Sequence, residues 1–491
     1  MKTKTINYLL ILTLLIFVLL QIVSLQNISN PSYDAYYEMR QVEQIKTTGL
    51  PILKDDLSYQ GRTYVPNYLT HYFLTGLSYL IPQKILFLYG GILLNIISLL
   101  FIFKITKKLY SNKHIALLVT VIASLTIILF KGTLATLNST GLFILVYLML
   151  INSFINLKNN RERISNFVII AVVGALLSPL MLIVLLGMFF YLILLKVENL
   201  QIRPLEVEIF GFIGLLTIWY NIILYQAVFR TQGISALWNS IPKPLIAEFF
   251  QKLSLPILIS QIGIIPFFLG AYAMYQALFA RKRRYLLSIT AITIILISLL
   301  TTGLINLQAG LLLTTINMIL LSGFGLKQLN DYFNKLNYSK IKYFLILFVI
   351  LIASINLIAN IRSLDISSPT KEEIKLLQET KFDSGETILG SLEEGQFIAY
   401  ETKRKTFYDD QFIKAPNSRQ RFDDARKIFL SKSKTTIISL LDYYKIKYIY
   451  LSEKTKQENP DSIIELDKTC FKILNEKQNN TIYEVKCTIS N

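Results

Sequence analysis

Five carboxylates, Asp34, Glu38, Glu43, Asp55 and Asp56, fall in one short stretch, although residues 1–361 hold only 11 Asp+Glu in all. Such a cluster can bind a divalent cation such as Mn or Mg through hard oxygen ligands. It can equally act as a general base toward a hydroxyl or an amide. Either chemistry suits transfer from a lipid phosphate or diphosphate, where the charge on the leaving group must be neutralised. Asp34 opens the helical-looking run Asp34-Ala35-Tyr36-Tyr37-Glu38-Met39-Arg40, which stops at Gly49 and Pro51. Glu38 lies one turn along and shares a face with Asp34. Asp34 also stands where an Asp commonly caps a helix. Arg40 and Arg62 share this stretch, and with Lys131 and Arg230 they are the cations available to clamp a phosphate. Two histidines, His71 and His114, are too few for a His-based zinc site. Cys470 and Cys487 can pair in an oxidising compartment, and the sequence leaves open whether they do. No phosphate-binding P-loop and no Gly-x-Ser-x-Gly elbow is present.

The elements that must position these groups are mostly membrane helices. Of 491 residues, 53% are hydrophobic and 17% charged, with a mean hydropathy of +0.47. Charges are missing from run after run of about 20 apolar residues, the length that crosses a bilayer. This excludes a soluble enzyme, a nucleic-acid-binding domain and a disordered protein. The reading is a mainly α membrane protein with about eleven spans, near 8–26, 84–104, 114–131, 133–157, 164–178, 179–196, 205–225, 256–279, 285–303, 305–325 and 341–361. The pair around Ser178-Pro179 is short for two crossings. The first span follows Met1-Lys2-Thr3-Lys4 without a small-residue cleavage site and reads as a retained signal anchor.

Of the net charge of +18, +17 lies in residues 1–361, because residues 362–491 carry 22 Lys+Arg against 21 Asp+Glu. Placing the N-terminus in the cytoplasm puts 19 of the 28 basic residues of the membrane portion on the inside, including those of every short inside loop. Residues 27–83, the loop 226–255 and a soluble domain of residues 362–491 then lie outside, in a multi-pass protein of the cell membrane. The apolar segment Tyr68–Leu80, between Pro66 and Pro82, is too short to span and is expected along the membrane surface. No charge falls clearly within a span, which counts against gradient-driven transport. Residues 370–491 show strand-like runs at Thr387–Leu392, Gln396–Tyr400, Ile446–Leu451, Phe471–Leu474 and Ile482–Val485. Helical patterns at Lys371–Thr380, Arg419–Leu430 and Thr435–Tyr444 complete a small α/β domain.

Asp34-Ala35-Tyr36-Tyr37, then Gly49-Leu50-Pro51 and Tyr59-Gln60-Gly61-Arg62, resembles the first outer loop of GT-C type membrane glycosyltransferases, above all the catalytic subunit of oligosaccharyltransferases. Those proteins carry an Asp-x-Tyr-Tyr motif after the first helix, many helices and a C-terminal outer domain. The resemblance implies that Asp34 serves the metal and acceptor site, as catalytic base or metal ligand. Ile246-Ala247-Glu248 resembles the family's Ser/Thr-Val-x-Glu segment, which implies an acceptor contact for Glu248. Glu38, Arg40 and Arg62 complete the candidate substrate-binding set.

The departures from the family are specific. The second outer loop, Lys131 to Asn138, lacks the family's second acidic motif, which leaves Mn or Mg use open and makes Asp55 or Asp56 the group to compensate, Asp56 as the second metal ligand. Ser391-Leu392-Glu393-Glu394-Gly395 occupies the place of Trp-Trp-Asp-Tyr-Gly without the tryptophans, while Arg404-Lys405-Thr406 leading to Asp409-Asp410 resembles the basic-then-acidic run that follows. The implied function moves a sugar or oligosaccharide from a polyprenyl-phosphate or polyprenyl-diphosphate carrier to a protein or glycan acceptor on the outer face. Membrane lipid is the other partner, and nucleic acid is none. A glycolipid-binding scaffold without catalysis, or a lipid-linked-sugar flippase, is the alternative.

Overall fold

The computed structural model describes residues 3–26, 28–157, 161–234, 255–280, 283–335, 347–355, 357, 366–458, 462, 464 and 467–488. Helices lie at each expected span that is described. Five are long and apolar enough to cross a membrane: Lys4–Ser24, Gln83–Tyr110, Pro204–Arg230, Arg284–Thr301 and Leu307–Lys335. Shorter apolar helices, Lys113–Ser124, Ser139–Ile155, Met181–Val197 and Ile264–Phe279, pack among them. The helix Leu307–Lys335 is buried along its apolar length, while the first helix, α1 (Thr3–Ser24), exposes Ile11, Leu12, Leu15, Ile16 and Leu19. A wholly enclosed helix beside others with bare apolar flanks is the pattern of a bundle solvated by lipid. The chain is a multi-pass membrane protein. Of the expected span 341–361, residues 347–355 are helical and much of the remainder lies outside the described residues.

The expected span 114–131 is broken. Lys113–Ser124 ends before Leu125 and Thr126, and a short helix, Ile127–Lys131, follows. The hydroxyls of Ser124 and Thr126 donate to the carbonyls of Val121 and Ile122, both at 2.8 Å, a back-bonding that bends helices. The next helix starts at Ser139 rather than 133, because Asn138 accepts from the Gly141 amide at 3.0 Å and caps it. The intervening turn lies against Gly91 so closely that a Cβ there would meet the Thr133 carbonyl oxygen at 1.8 Å.

After α1, the first loop forms α2 (Ala35–Thr48), a two-stranded hairpin of β1 (Lys54–Asp55) and β2 (Arg62–Thr63), and α3 (Tyr68–Leu80). Helix α3 buries Thr70, His71, Thr75 and Ser78 and exposes Tyr72, Phe73, Tyr79 and Leu80. That inversion, polar side inward and aromatic side outward, fits a helix lying at a membrane boundary.

The C-terminal unit holds a five-stranded mixed sheet, β3 (Thr387–Leu389), β4 (Lys405–Thr406), β5 (Ile446–Leu451), β6 (Phe471–Lys477) and β7 (Asn480–Val485), in the order β4-β3-β5-β7-β6. β3 pairs in parallel with β4 and β5, and β7 pairs antiparallel with β5 and β6. A disulfide between Cys470 and Cys487 ties the open ends of the β6–β7 hairpin. One expectation fails: Gln396–Tyr400 is not a strand but part of the helix Gly395–Thr402. The helical period brings Gln396 and Tyr400 to one face, where they meet Arg40 and Tyr36 of α2. A strand would also align them, but only the helix buries Phe397, Ile398 and Ala399 together.

Candidate active site

Asp34 precedes α2 with helical backbone angles (φ −59°, ψ −25°) and makes no side-chain cap. Its carboxylate has no hydrogen bond or ion pair among the described residues. It faces a cavity of about 370 Å³ whose walls include Tyr37, Glu38, Asn138, Asn306, Gln308 and Asp410. The helical period sorts the motif into two faces. Asp34, Tyr37 and Glu38 point to the cavity. Tyr33 and Tyr36 pack edge-on to Phe397 at 5.4 and 5.0 Å, and the Tyr33 hydroxyl donates to Glu373 at 3.0 Å. The backbone is pinned on both sides of this junction: the Ser32 amide donates to the Ala135 carbonyl at 2.8 Å and the Tyr33 amide to the Ser367 carbonyl at 3.1 Å. Asp34 is exposed toward the cavity but backed by protein, and this desolvation raises its pKa; Glu393 adds to the rise and Lys454 opposes it.

Glu38 is buried and lines the same cavity. Its Oε2 stands 2.9 Å from Nε2 of His71, yet neither atom attains hydrogen-bond geometry. The substrate roles expected of Arg40 and Arg62 are not what the structure gives them. Arg40 donates to Asp55 and Gln396, both at 2.7 Å. Arg62 stacks on Tyr64 at 4.1 Å, lies 3.7 Å from Asp409, and donates to the carbonyls of Gln411 and Ile413. Both guanidiniums are buried and neither lines the cavity. A buried cation needs a fixed counter-charge, and these two find theirs in Asp55 and Asp409; Arg40 through Gln396 and Arg62 through Asp409 tie the first loop to the C-terminal unit. Asp56 is exposed and off the cavity wall, so it does not meet Asp34 as a second metal ligand. Asp55 is held by Arg40. Glu248 lies outside the described residues.

Asp410 is the group that the sequence reading named without assigning to the site. Its neighbour Asp409 is saturated, accepting from Ser58 Oγ at 2.5 Å and from the Gln411 amide at 3.0 Å beside Arg62. Asp410 lines the Asp34 cavity instead. Its Oδ2 has a long contact of 3.4 Å from Gln411 Nε2, and its Oδ1 is buried without a partner. Burial, then the Asp34 carboxylate, then Asp409 push its pKa well above the ordinary range. The local signal was the doubled Asp after a basic run; what singles out the second Asp is the Arg62 clamp on the carbonyls that follow.

Among the described residues no Lys, Arg or His lines this cavity, while three carboxylates do. Beside it lies an apolar groove of about 520 Å³ between the helices Met181–Val197 and Pro204–Gln232, walled by Leu182, Leu186, Phe189, Ile218, Ile222 and Phe229. The two adjoin: Leu182 and Phe229 of the groove pack with Tyr225 and Ile413 of the cavity wall.

No protein-family model matches the chain, and no curated protein matches it in sequence. Solved structures do. The apo oligosaccharyltransferase of Archaeoglobus fulgidus aligns with a TM-score of 0.65 at 12% identity, over 91% of this chain and 70% of that one. The same organism's AglB, in complex with an inhibitory peptide and a dolichol-phosphate, gives 0.66 at 11%, over 91% and 69%. ArnT from Cupriavidus metallidurans bound to undecaprenyl phosphate gives 0.56 at 10%, over 98% of each chain. The fold is of the GT-C type, with a likeness to oligosaccharyltransferases.

Proposed function

We propose that this protein is a glycosyltransferase that moves a sugar or oligosaccharide from a polyprenyl-phosphate or -diphosphate carrier to an acceptor at the outer membrane face. The observation that carries the reading is the contiguity of a carboxylate-lined cavity with an apolar groove between two membrane helices. A carrier of this class has an apolar tail and a charged head, and needs both environments side by side. The neighbouring folds, one in complex with a dolichol-phosphate and one bound to undecaprenyl phosphate, support the same donor class. The disulfide supports an outer location for the C-terminal unit, because such bonds persist in oxidising compartments. Eleven crossings with a cytoplasmic N-terminus remain the proposed topology.

In the transfer step, the bond between the sugar's anomeric carbon and the carrier phosphate breaks, and a bond from that carbon to the acceptor heteroatom forms. Asp34 takes the acceptor's proton, and the phosphate leaves with the bonding electron pair. Asp410 holds the opposite carboxylate of the cavity, where burial and the neighbouring Asp34 charge raise its pKa. Glu38 orients the acceptor from the floor of α2, and Glu248 is a further acceptor contact. Among the described residues no three Asp, Glu, His or Cys side chains converge on one point. Mg and related ions are commonly held by one or two carboxylates with substrate phosphate, and a cavity without cationic side chains among the described residues suits that arrangement. Asp34 and Asp410 are the residues that would hold a Mg or Mn ion, which would supply positive charge to the leaving phosphate.

The test is Asp34→Asn in membranes supplied with radiolabelled polyprenyl-phosphate sugars, following label into non-lipid material. Loss of a general base typically costs about 10²–10⁴ in rate. Because Asp34 makes no cap and no ion pair, expression and unfolding should be unchanged. Undiminished transfer by the variant would remove Asp34 as the base, and no transfer even by the unaltered chain would point to the non-catalytic scaffold.

A further inference from the structure

We infer that the C-terminal unit carries a second ligand site, a pocket for an acidic saccharide, separate from the Asp34 cavity. The pocket measures about 600 Å³ and shares no lining residue with that cavity. Its charge is the reverse. Lys405, Arg421 and Lys445 line it against a single acid, Glu386. The ammonium groups of Lys405 and Lys445 have no carboxylate or hydrogen-bond partner among the described residues. Arg421 is fixed, donating to the Phe407 carbonyl at 2.8 Å and to Gln60 Oε1 at 3.1 Å, with its guanidinium 5.2 Å from the Phe407 ring and 5.5 Å from the Tyr444 ring.

The remaining lining groups narrow the ligand class. Tyr443 is 72% exposed and braced edge-on by Tyr444 at 4.8 Å. A bare, braced aromatic face offers a platform for the C–H side of a sugar ring. The side-chain amides of Asn417 and Gln420 have no partner among the described residues and offer both donors and acceptors to hydroxyls. Platform, amides and unpaired cations together fit a glycan bearing carboxylates or phosphates. A simple anion would need the cations alone, and a neutral sugar would leave them unmatched. The ligand class follows from the pocket's own chemistry. Its use as an acceptor site rests on the glycosyl-transfer reading.

The experiment is calorimetric titration of the full chain in detergent with tetragalacturonate, maltotetraose and tetraglutamate. Tetragalacturonate should bind, and should weaken with added salt. It should bind at least about tenfold more tightly than either comparison ligand, a difference of about 1.4 kcal/mol. Lys405→Gln/Lys445→Gln and Tyr443→Ala should each weaken it by a similar factor, whereas Asp34→Asn should bind it as the unaltered chain does. The inference is overturned by absence of tetragalacturonate binding, by equal binding of maltotetraose or tetraglutamate, or by insensitivity to the pocket variants. Loss of binding in Asp34→Asn alone would assign the probe to the cavity and overturn it as well. Binding is read without turnover, so failure here and failure of the transferase reading are distinguishable.

Discussion

Replacing Arg62 by Met keeps much of the side-chain volume but removes the charge that joins the first loop to the loop carrying Asp410. At 3.7 Å from Asp409 the guanidinium attracts it by about 4–5 kcal/mol for an effective dielectric near 20. Two backbone carbonyls, of Gln411 and Ile413, also lose their donors. Desolvation of the cation offsets part of this. Deleting one partner of a buried pair costs about 3–5 kcal/mol in practice, because the other charge is left buried and unpaired. We expect Arg62→Met to lose about 4 kcal/mol in SDS-induced unfolding of the detergent-solubilised chain, with faster hydrogen exchange at the amides of residues 409–413. Arg62→Met/Asp409→Asn should be less destabilised than Arg62→Met alone, since the stranded carboxylate is gone. Transfer activity should fall in both, because the carbonyls flanking Asp410 are released. Unchanged unfolding and unchanged exchange in Arg62→Met would refute the assignment of Arg62 as the clamp.

The other expectations are separable. Glu394, buried with Oε1 unpartnered, is pushed up from 4.5 to about 7, chiefly by burial. Its folded pKa exceeds its unfolded one, so its contribution to stability is complete below about 4.5 and is lost as pH rises through 7, a span of about 3 kcal/mol. Glu394→Gln should remove that decline, so the difference between the two unfolding-versus-pH curves should fall by that span as pH rises; parallel curves would contradict it. Gly91→Ala must displace the Thr133 backbone and should cost at least about 1–3 kcal/mol together with activity, whereas Gly76→Ala, which meets nothing within 4 Å, should be neutral or stabilising by about 0.5–1 kcal/mol. Chelation by EDTA should lower transfer reversibly on adding Mg or Mn; indifference to EDTA would remove the ion while leaving Asp34 as base.

What was legible from residue order is what local rules decide. Hydrophobic run length located the membrane helices, because a span is defined by about 20 consecutive residues and needs no distant partner. The helical period put Asp34 and Glu38 on one face, and the structure keeps them there, on one cavity wall. The bounding prolines marked the ends of the short helix α3. Strands β5, β6 and β7 were visible as β-branched and aromatic runs. Other features depended on partners remote in sequence. Arg40 and Arg62 looked free to hold a phosphate, but a buried guanidinium goes to whichever carboxylate is desolvated beside it, here Asp55 and Asp409. Gln396–Tyr400 had enough apolar character for a strand and became a helix because α2 offered one face to meet it. The second outer loop brings no carboxylate to the Asp34 cavity, while Asp410 from the far end of the chain lines it. Sequence spacing sets which side chains share a helix face; only the packing of the first loop against the C-terminal unit decides which charges are desolvated together.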